Sequence, residues 1–132
     1  MAVYLDSSAL VKLVVEEPES PSLRRYLRRR LPRVSSAIAR VELLRAVRED
    51  GAQACSRAER LLAGLRLVRL DDDLLHEAAR LDPRVLRSLD AIHLSCARRL
   101  GRDLESLVTY DARMRQAALL LRIPVESPGP RH

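Results

Sequence analysis

Short apolar segments alternate along this chain with longer stretches of helical spacing, and that alternation decides what it can fold into. Ala2-Val3-Tyr4-Leu5 is apolar and β-prone and reads as a buried strand; it runs straight into Asp6-Ser7-Ser8. Leu10, Val11, Val14 and Val15 then give Ser7–Val15 a helical period. The succession returns further on. Leu23, Leu27 and Leu31 stripe a helix over Ser22–Leu31 that Pro32 closes. A short strand begins at Val34, and Ser35 or Ser36 can cap a helix from Ala37 to about Glu49. A helix over Ala52–Gly64 leads to a strand over Leu65–Leu70. Asp71-Asp72-Asp73 precedes a helix to about Leu81, broken at Pro83. Leu86, Leu89, His93, Cys96 or Ala97, and Leu100 trace another helical face, ended by Gly101. Leu104–Thr109 reads as a strand, Ala112–Leu121 as a helix and Pro124–Glu126 as an edge strand. Buried strands alternating with helices predict an α/β fold on a parallel sheet, with ligands at the carboxyl ends of the strands.

The 132 residues fit one domain, 1–132, with 127–132 as a tail around Pro128-Gly129-Pro130. With no Phe, no Trp and three Tyr, the core has to be aliphatic. No apolar run exceeds five residues, so no membrane-spanning helix is expected. The first residues carry no basic leader and no secretory apolar region, and Cys55 and Cys96 form neither a CxxC pair nor a zinc spacing. Both point to a cytoplasmic protein whose cysteines are small apolar residues.

The formal net charge is +6, and Lys12 is the only lysine. Residues 1–70 hold 14 basic and 8 acidic side chains, and residues 71–132 hold ten of each. The excess matches the six arginines Arg24, Arg25, Arg28, Arg29, Arg30 and Arg33. A concentrated basic patch suits a polyanionic partner; it equally suits a solvated helix face or a dimer contact.

Four acids stand in unusual places. Asp6 and Asp111 directly follow expected strands, where either could simply cap the next helix. Glu42 lies in the apolar run Ala37–Leu44; the alternative is a surface glutamate paired with Arg45. Asp90 lies in Ser88-Leu89-Asp90-Ala91-Ile92-His93-Leu94, where Ser88 as cap would put it in the first helical turn. If all four share a pocket, they repel: a carboxylate pair about 5 Å apart at an effective dielectric of 20 costs about 3 kcal/mol. Protonation or cations relieve such crowding, and hard divalent ions with oxygen ligands, Mg²⁺ or Mn²⁺, suit carboxylates. Asp71-Asp72-Asp73, by contrast, reads as a capping cluster. His93 reads as a core or helix-pairing histidine.

These segments resemble a known family. Val3-Tyr4-Leu5-Asp6-Ser7-Ser8-Ala9-Leu10, Ala39-Arg40-Val41-Glu42-Leu43, Leu86–Leu94 and Leu107-Val108-Thr109-Tyr110-Asp111-Ala112-Arg113-Met114 look like the four acidic motifs of PIN-domain ribonucleases, more narrowly of VapC-type toxins of bacterial type II toxin–antitoxin pairs. The likeness covers residues 1 to about 126. It implies a three-layer α/β/α PIN-like fold with a parallel sheet of about five strands. It also implies Mg²⁺- or Mn²⁺-dependent endoribonuclease activity, a VapB-like antitoxin and commonly a homodimer. Asp6, Glu42, Asp90 and Asp111 match the catalytic, metal-site acids, with Ser7 and Thr109 in supporting positions. Arg24, Arg25, Arg28, Arg29 and Arg113 are candidates to hold the flanking phosphates of RNA.

Other readings fit less well. A phosphatase with Asp-x-Asp after the first strand would need an acid where Ser8 stands. A receiver domain would need adjacent acids and a late lysine. A non-catalytic RNA- or protein-binding module with structural acids remains the alternative.

Overall fold

The computed structural model describes residues 1–130. Fourteen elements follow one another: β1 (Ala2–Leu5), α1 (Ser7–Val14), α2 (Ser20–Leu27), β2 (Arg33–Ser36), α3 (Ala39–Ala46), a 3₁₀ turn (Arg48–Asp50), α4 (Ala52–Ala63), β3 (Arg66–Val68), α5 (Asp72–Ala79), α6 (Ser88–Arg99), a 3₁₀ turn (Gly101–Asp103), β4 (Leu104–Val108), α7 (Ala112–Leu120) and β5 (Val125–Glu126). The strands form a five-stranded sheet in the order β3-β2-β1-β4-β5, every pairing parallel.

The period of two in β1 separates the layers. Val3 and Leu5 join one apolar cluster with α1, α2, α3 and α4, through Leu10, Leu23, Leu43 and Ala58. Ala2 and Tyr4 join the other with α5, α6 and α7, through Leu74, Leu94 and Met114. The sheet is therefore sandwiched, and both clusters are aliphatic apart from Tyr4. The chain leaves β1 toward β2 on one side and returns to β4 on the other, so the strand order reverses beside β1. Ligand crevices of open parallel sheets form at the carboxyl ends of strands at such a point.

Several boundaries differ from the sequence reading. Helix α2 starts earlier, because Pro21 suits a first turn, and ends at Leu27, with Arg28 N–H bonded only to Arg25. The helix expected over 37–49 is broken: Ser36 Oγ accepts from Ile38 N–H, α3 covers Ala39–Ala46, and a 3₁₀ turn carries the chain to Gly51 at φ +99°. Ser88 is not a cap; Arg87 holds that position and Asp90 falls third in α6, still within the first turn. The expected tail over 127–132 is tied down where it is described. Ser127 Oγ donates to Thr109 O at 2.5 Å, and Tyr110 Oη donates to Pro128 O at 2.6 Å. Arg131 and His132 lie outside the described residues. Among the described residues no helix is long and apolar enough to cross a membrane.

Candidate active site

All four acids sit at the start of a helix. Asp6 is the N-cap of α1 and Asp111 that of α7; Glu42 and Asp90 lie in the first turns of α3 and α6. Parallel connections bring those helix starts to the carboxyl edge of the sheet. Each helix N-terminus carries partial positive charge, so four of them offset part of the repulsion among four carboxylates. That relief comes from the backbone and needs no bound ion.

The capping reading of Asp6 and Asp111 holds. Asp6 Oδ1 accepts from Ala9 N–H at 3.0 Å and from Ser8 Oγ at 2.6 Å, while Oδ2 accepts from Thr109 Oγ1 at 2.5 Å. Ser8 Oγ also accepts from Tyr110 N–H, which ties the end of β1 to the end of β4. Asp111 Oδ1 accepts from the N–H groups of Arg113 and Met114.

Glu42 does not pair with Arg45. Its Oε1 accepts from Ser7 Oγ at 2.6 Å and lies 2.6 Å from His93 Nε2, and His93 Nδ1 lies 2.7 Å from Tyr4 Oη. His93 is buried, as expected of a core or helix-pairing histidine, and it joins α6 to α3 through Glu42. Asp90 has no hydrogen-bond partner among the described residues. There also, no protein donor reaches Glu42 Oε2 or Asp111 Oδ2.

Proton affinities follow from these surroundings. Burial pushes the Asp6 carboxyl up, against the fields and bonds of His93, Ser8, Thr109 and Ala9. Burial also raises Asp90, and the negative Asp111 and Asp6 add to it. Burial would raise Glu42 as well, but the hydrogen bond and field of His93, with the Ser7 hydroxyl, outweigh it and bring the carboxyl below its ordinary value. The field of His93 reaches Asp6, Glu42 and Asp90, and the negative Asp6 and Asp111 reach Asp90. The four acids do not stand as a finished cage: among the described residues no three His, Cys, Asp or Glu side chains already enclose an ion position.

The arginines divide into two groups. Arg28, Arg29, Arg30 and Arg33 lead into β2 and therefore lie at the amino edge of the sheet, opposite the acids. Arg30 pairs there with Glu105 at 2.6 Å, and Arg33 donates to Leu27 O. Arg24 is paired with Glu16, and Arg25 is exposed beside Ser22. Arg113 starts α7 next to Asp111, and the field of Arg87 reaches Asp90. Ser8, Tyr4 and Arg87 were not singled out from the sequence. The signal for Tyr4 was its presence as the one aromatic in the first strand.

Residues 3–120 match the PIN domain family. The chain belongs to that family of α/β domains. It is of the VapC type: it is 57% identical over 128 residues to ribonuclease VapC46 of Mycobacterium tuberculosis, covering 97% of this chain and 98% of that protein. The crystal structure of M. tuberculosis VapC20, a sarcin–ricin loop cleaving toxin, shares the fold at TM-score 0.72 and 21% identity over 87% of this chain and 94% of that one. VapBC2 from Rickettsia felis, bound to a promoter DNA fragment, shares it at TM-score 0.71 and 15% identity over 97% and 99% of the two chains.

Proposed function

We propose that this protein is a divalent-metal-dependent endoribonuclease, the toxin of a VapBC-type pair, acting through Asp6, Glu42, Asp90 and Asp111 at the carboxyl edge of the sheet. The observation that carries this reading is the arrangement of the four carboxylates. They come from four helix starts to one strand edge, and three of them keep oxygens that no described donor claims. The donor set is all oxygen, without a thiolate, which suits Mg²⁺ or Mn²⁺ rather than zinc. The residues that would hold it are Asp6, Glu42, Asp90 and Asp111. When bound, such an ion activates water and neutralises the oxygen leaving the phosphodiester.

The protein's own groups complete the chemistry. Ser7 and Thr109 hold the Glu42 and Asp6 carboxylates in place. Asp90, with its proton affinity raised and both oxygens unclaimed, is the group to accept the proton of the attacking water. Arg113 and Arg87, beside the acids, are placed to hold phosphates flanking the scissile bond. Arg24, Arg25, Arg28 and Arg29 contact RNA only if the substrate is large enough to reach away from the pocket.

A VapB-like antitoxin is the expected protein partner. Val41 and Leu89 are exposed and adjoin Glu42 and Asp90 in sequence, giving such a partner apolar surface at the mouth of the site. A homodimer and a cytoplasmic setting belong to the same reading. Cleavage of total RNA by wild type and by Asp90→Asn, each with Mn²⁺ or with EDTA, tests it. Wild type should cut only with metal and the variant should not cut; cutting in EDTA would refute it.

A further inference from the structure

Tyr4 is out of keeping with its surroundings. It is completely buried in β1, the one aromatic ring in a cluster built otherwise from Leu, Val, Ile, Ala, Met and Cys96. Its hydroxyl is 2.7 Å from His93 Nδ1, and the two rings meet edge-on with centroids 5.8 Å apart. The other imidazole nitrogen is 2.6 Å from Glu42 Oε1. A line of three side chains thus runs from β1 through α6, which belongs to one helix layer, to α3, which belongs to the other.

We propose that Tyr4 and His93 are a buried positioning pair that aims Glu42 into the site. The inference rests on the metal-site reading above. A tyrosine hydroxyl carries its proton at neutral pH and, 2.7 Å from Nδ1, donates it to that nitrogen. An imidazole that accepts at Nδ1 carries its hydrogen on Nε2, and that hydrogen is donated to Glu42 Oε1. Ser7 Oγ donates to the same oxygen. With both donors on Oε1, the carboxylate is anchored by that oxygen, and Oε2 is left without a described protein donor, available to a ligand. Partners of this kind, which orient a ligand without touching the ion, are worth about 10–100-fold in metal affinity.

Two measurements test the pair. In the metal-free protein at neutral pH, nitrogen NMR should show His93 protonated on Nε2 and bare on Nδ1; a hydrogen on Nδ1 would overturn the proposal. Calorimetric titration with Mn²⁺ should show His93→Leu binding about 10–100-fold more weakly. Tyr4→Phe, which keeps the ring and loses only the hydroxyl, should bind about tenfold more weakly. His93→Gln, which restores a donor near the Nε2 position, should recover part of the loss. A purely structural pair would lower the melting temperature and leave the Mn²⁺ affinity of the folded protein alone. If His93→Leu fails to fold, Tyr4→Phe decides. Unchanged affinity in a folded variant beside a wild type that binds would overturn the positioning role and leave the metal site standing. A wild type that binds no Mn²⁺ would overturn both.

Discussion

This chain carries two groups of acids, and they are handled in opposite ways. Asp71 caps α5 through Leu74 N–H and receives both Nη atoms of Arg99 at 2.8 and 2.9 Å. Those bonds hold its carboxyl down to about 2. At the carboxyl edge of the sheet, Asp6, Glu42 and Asp111 are held by hydroxyls, backbone N–H groups and one imidazole, and the Asp90 carboxylate by no described donor; no Arg or Lys is in direct contact with the four among the described residues. Asp6 and Asp90 are pushed up rather than down. Of the consecutive acids Asp71 is the one met by a cation, while Asp90 among the scattered acids feels the negative charge of Asp111 and Asp6. At Asp71 a cation meets the carboxylate; at Asp90, where none does, the protein keeps a cost that a function has to explain.

The largest expected contrast is in catalysis. Asp90→Asn should lower RNA cleavage by about 10²–10⁴-fold, the range for losing a positioned proton acceptor, while Asp71→Asn should cut at the wild-type rate once folded. Comparable losses in both variants would erase the distinction between the two groups. The next contrast is in metal response. Mn²⁺ at a hundredfold excess over Kd should stabilise wild type by about 2.7 kcal/mol, and Asp6→Asn should lose most of that shift. Thermal melts with Mn²⁺ and with EDTA measure it.

Acid titration separates Asp71 from Asp90 by sign. The Asp71 carboxyl lies below its ordinary value, so its stabilisation is present above about 4 and fades as pH falls toward 2. Asp90 lies above its ordinary value, so it costs stability at neutral pH, and that cost vanishes as the group takes up a proton on acidification. Without metal, Asp90→Asn should therefore melt a few degrees higher than wild type at pH 7, about 2–8 °C for each kcal/mol relieved, and the gap should close near pH 4. Asp71→Asn should melt lower at pH 7, with that gap also closing in acid. An Asp90→Asn protein that melts lower at neutral pH would show that the carboxylate is structural. The smallest effect concerns RNA affinity. Charge reversal at Arg113 should weaken binding and flatten its salt dependence, and reversal at Arg28 should change either quantity less. Equal effects would extend the RNA path to the amino edge of the sheet.

Much of this organisation is legible in the order of residues. Ala2–Leu5 followed by Asp6-Ser7 announces a buried strand meeting a helix cap, and Leu107–Asp111 does the same, because both periodicity and capping are local. Asp71-Asp72-Asp73 is legible for the same reason. What stays hidden is contact between distant segments. His93 on its apolar face looks like core; that it meets Glu42, 51 positions away, depends on two helix layers closing over β1. The break in α3 after Ala46 was hidden because residues 37–49 keep a helical pattern, while the positive φ at Gly51 sets where the chain turns. Arg28, Arg29, Arg30 and Arg33 were countable, but their place at the amino edge follows from the direction of β2, which only the sheet order shows.

The account stands on a divalent ion seated among four acids. Crystals grown with Mn²⁺ and measured near its absorption edge locate that ion directly. The expected result is anomalous density bounded by Asp6, Glu42, Asp90 and Asp111 and none beside Asp71-Asp72-Asp73. A site empty under saturating Mn²⁺, or density beside Asp71 instead, would contradict it.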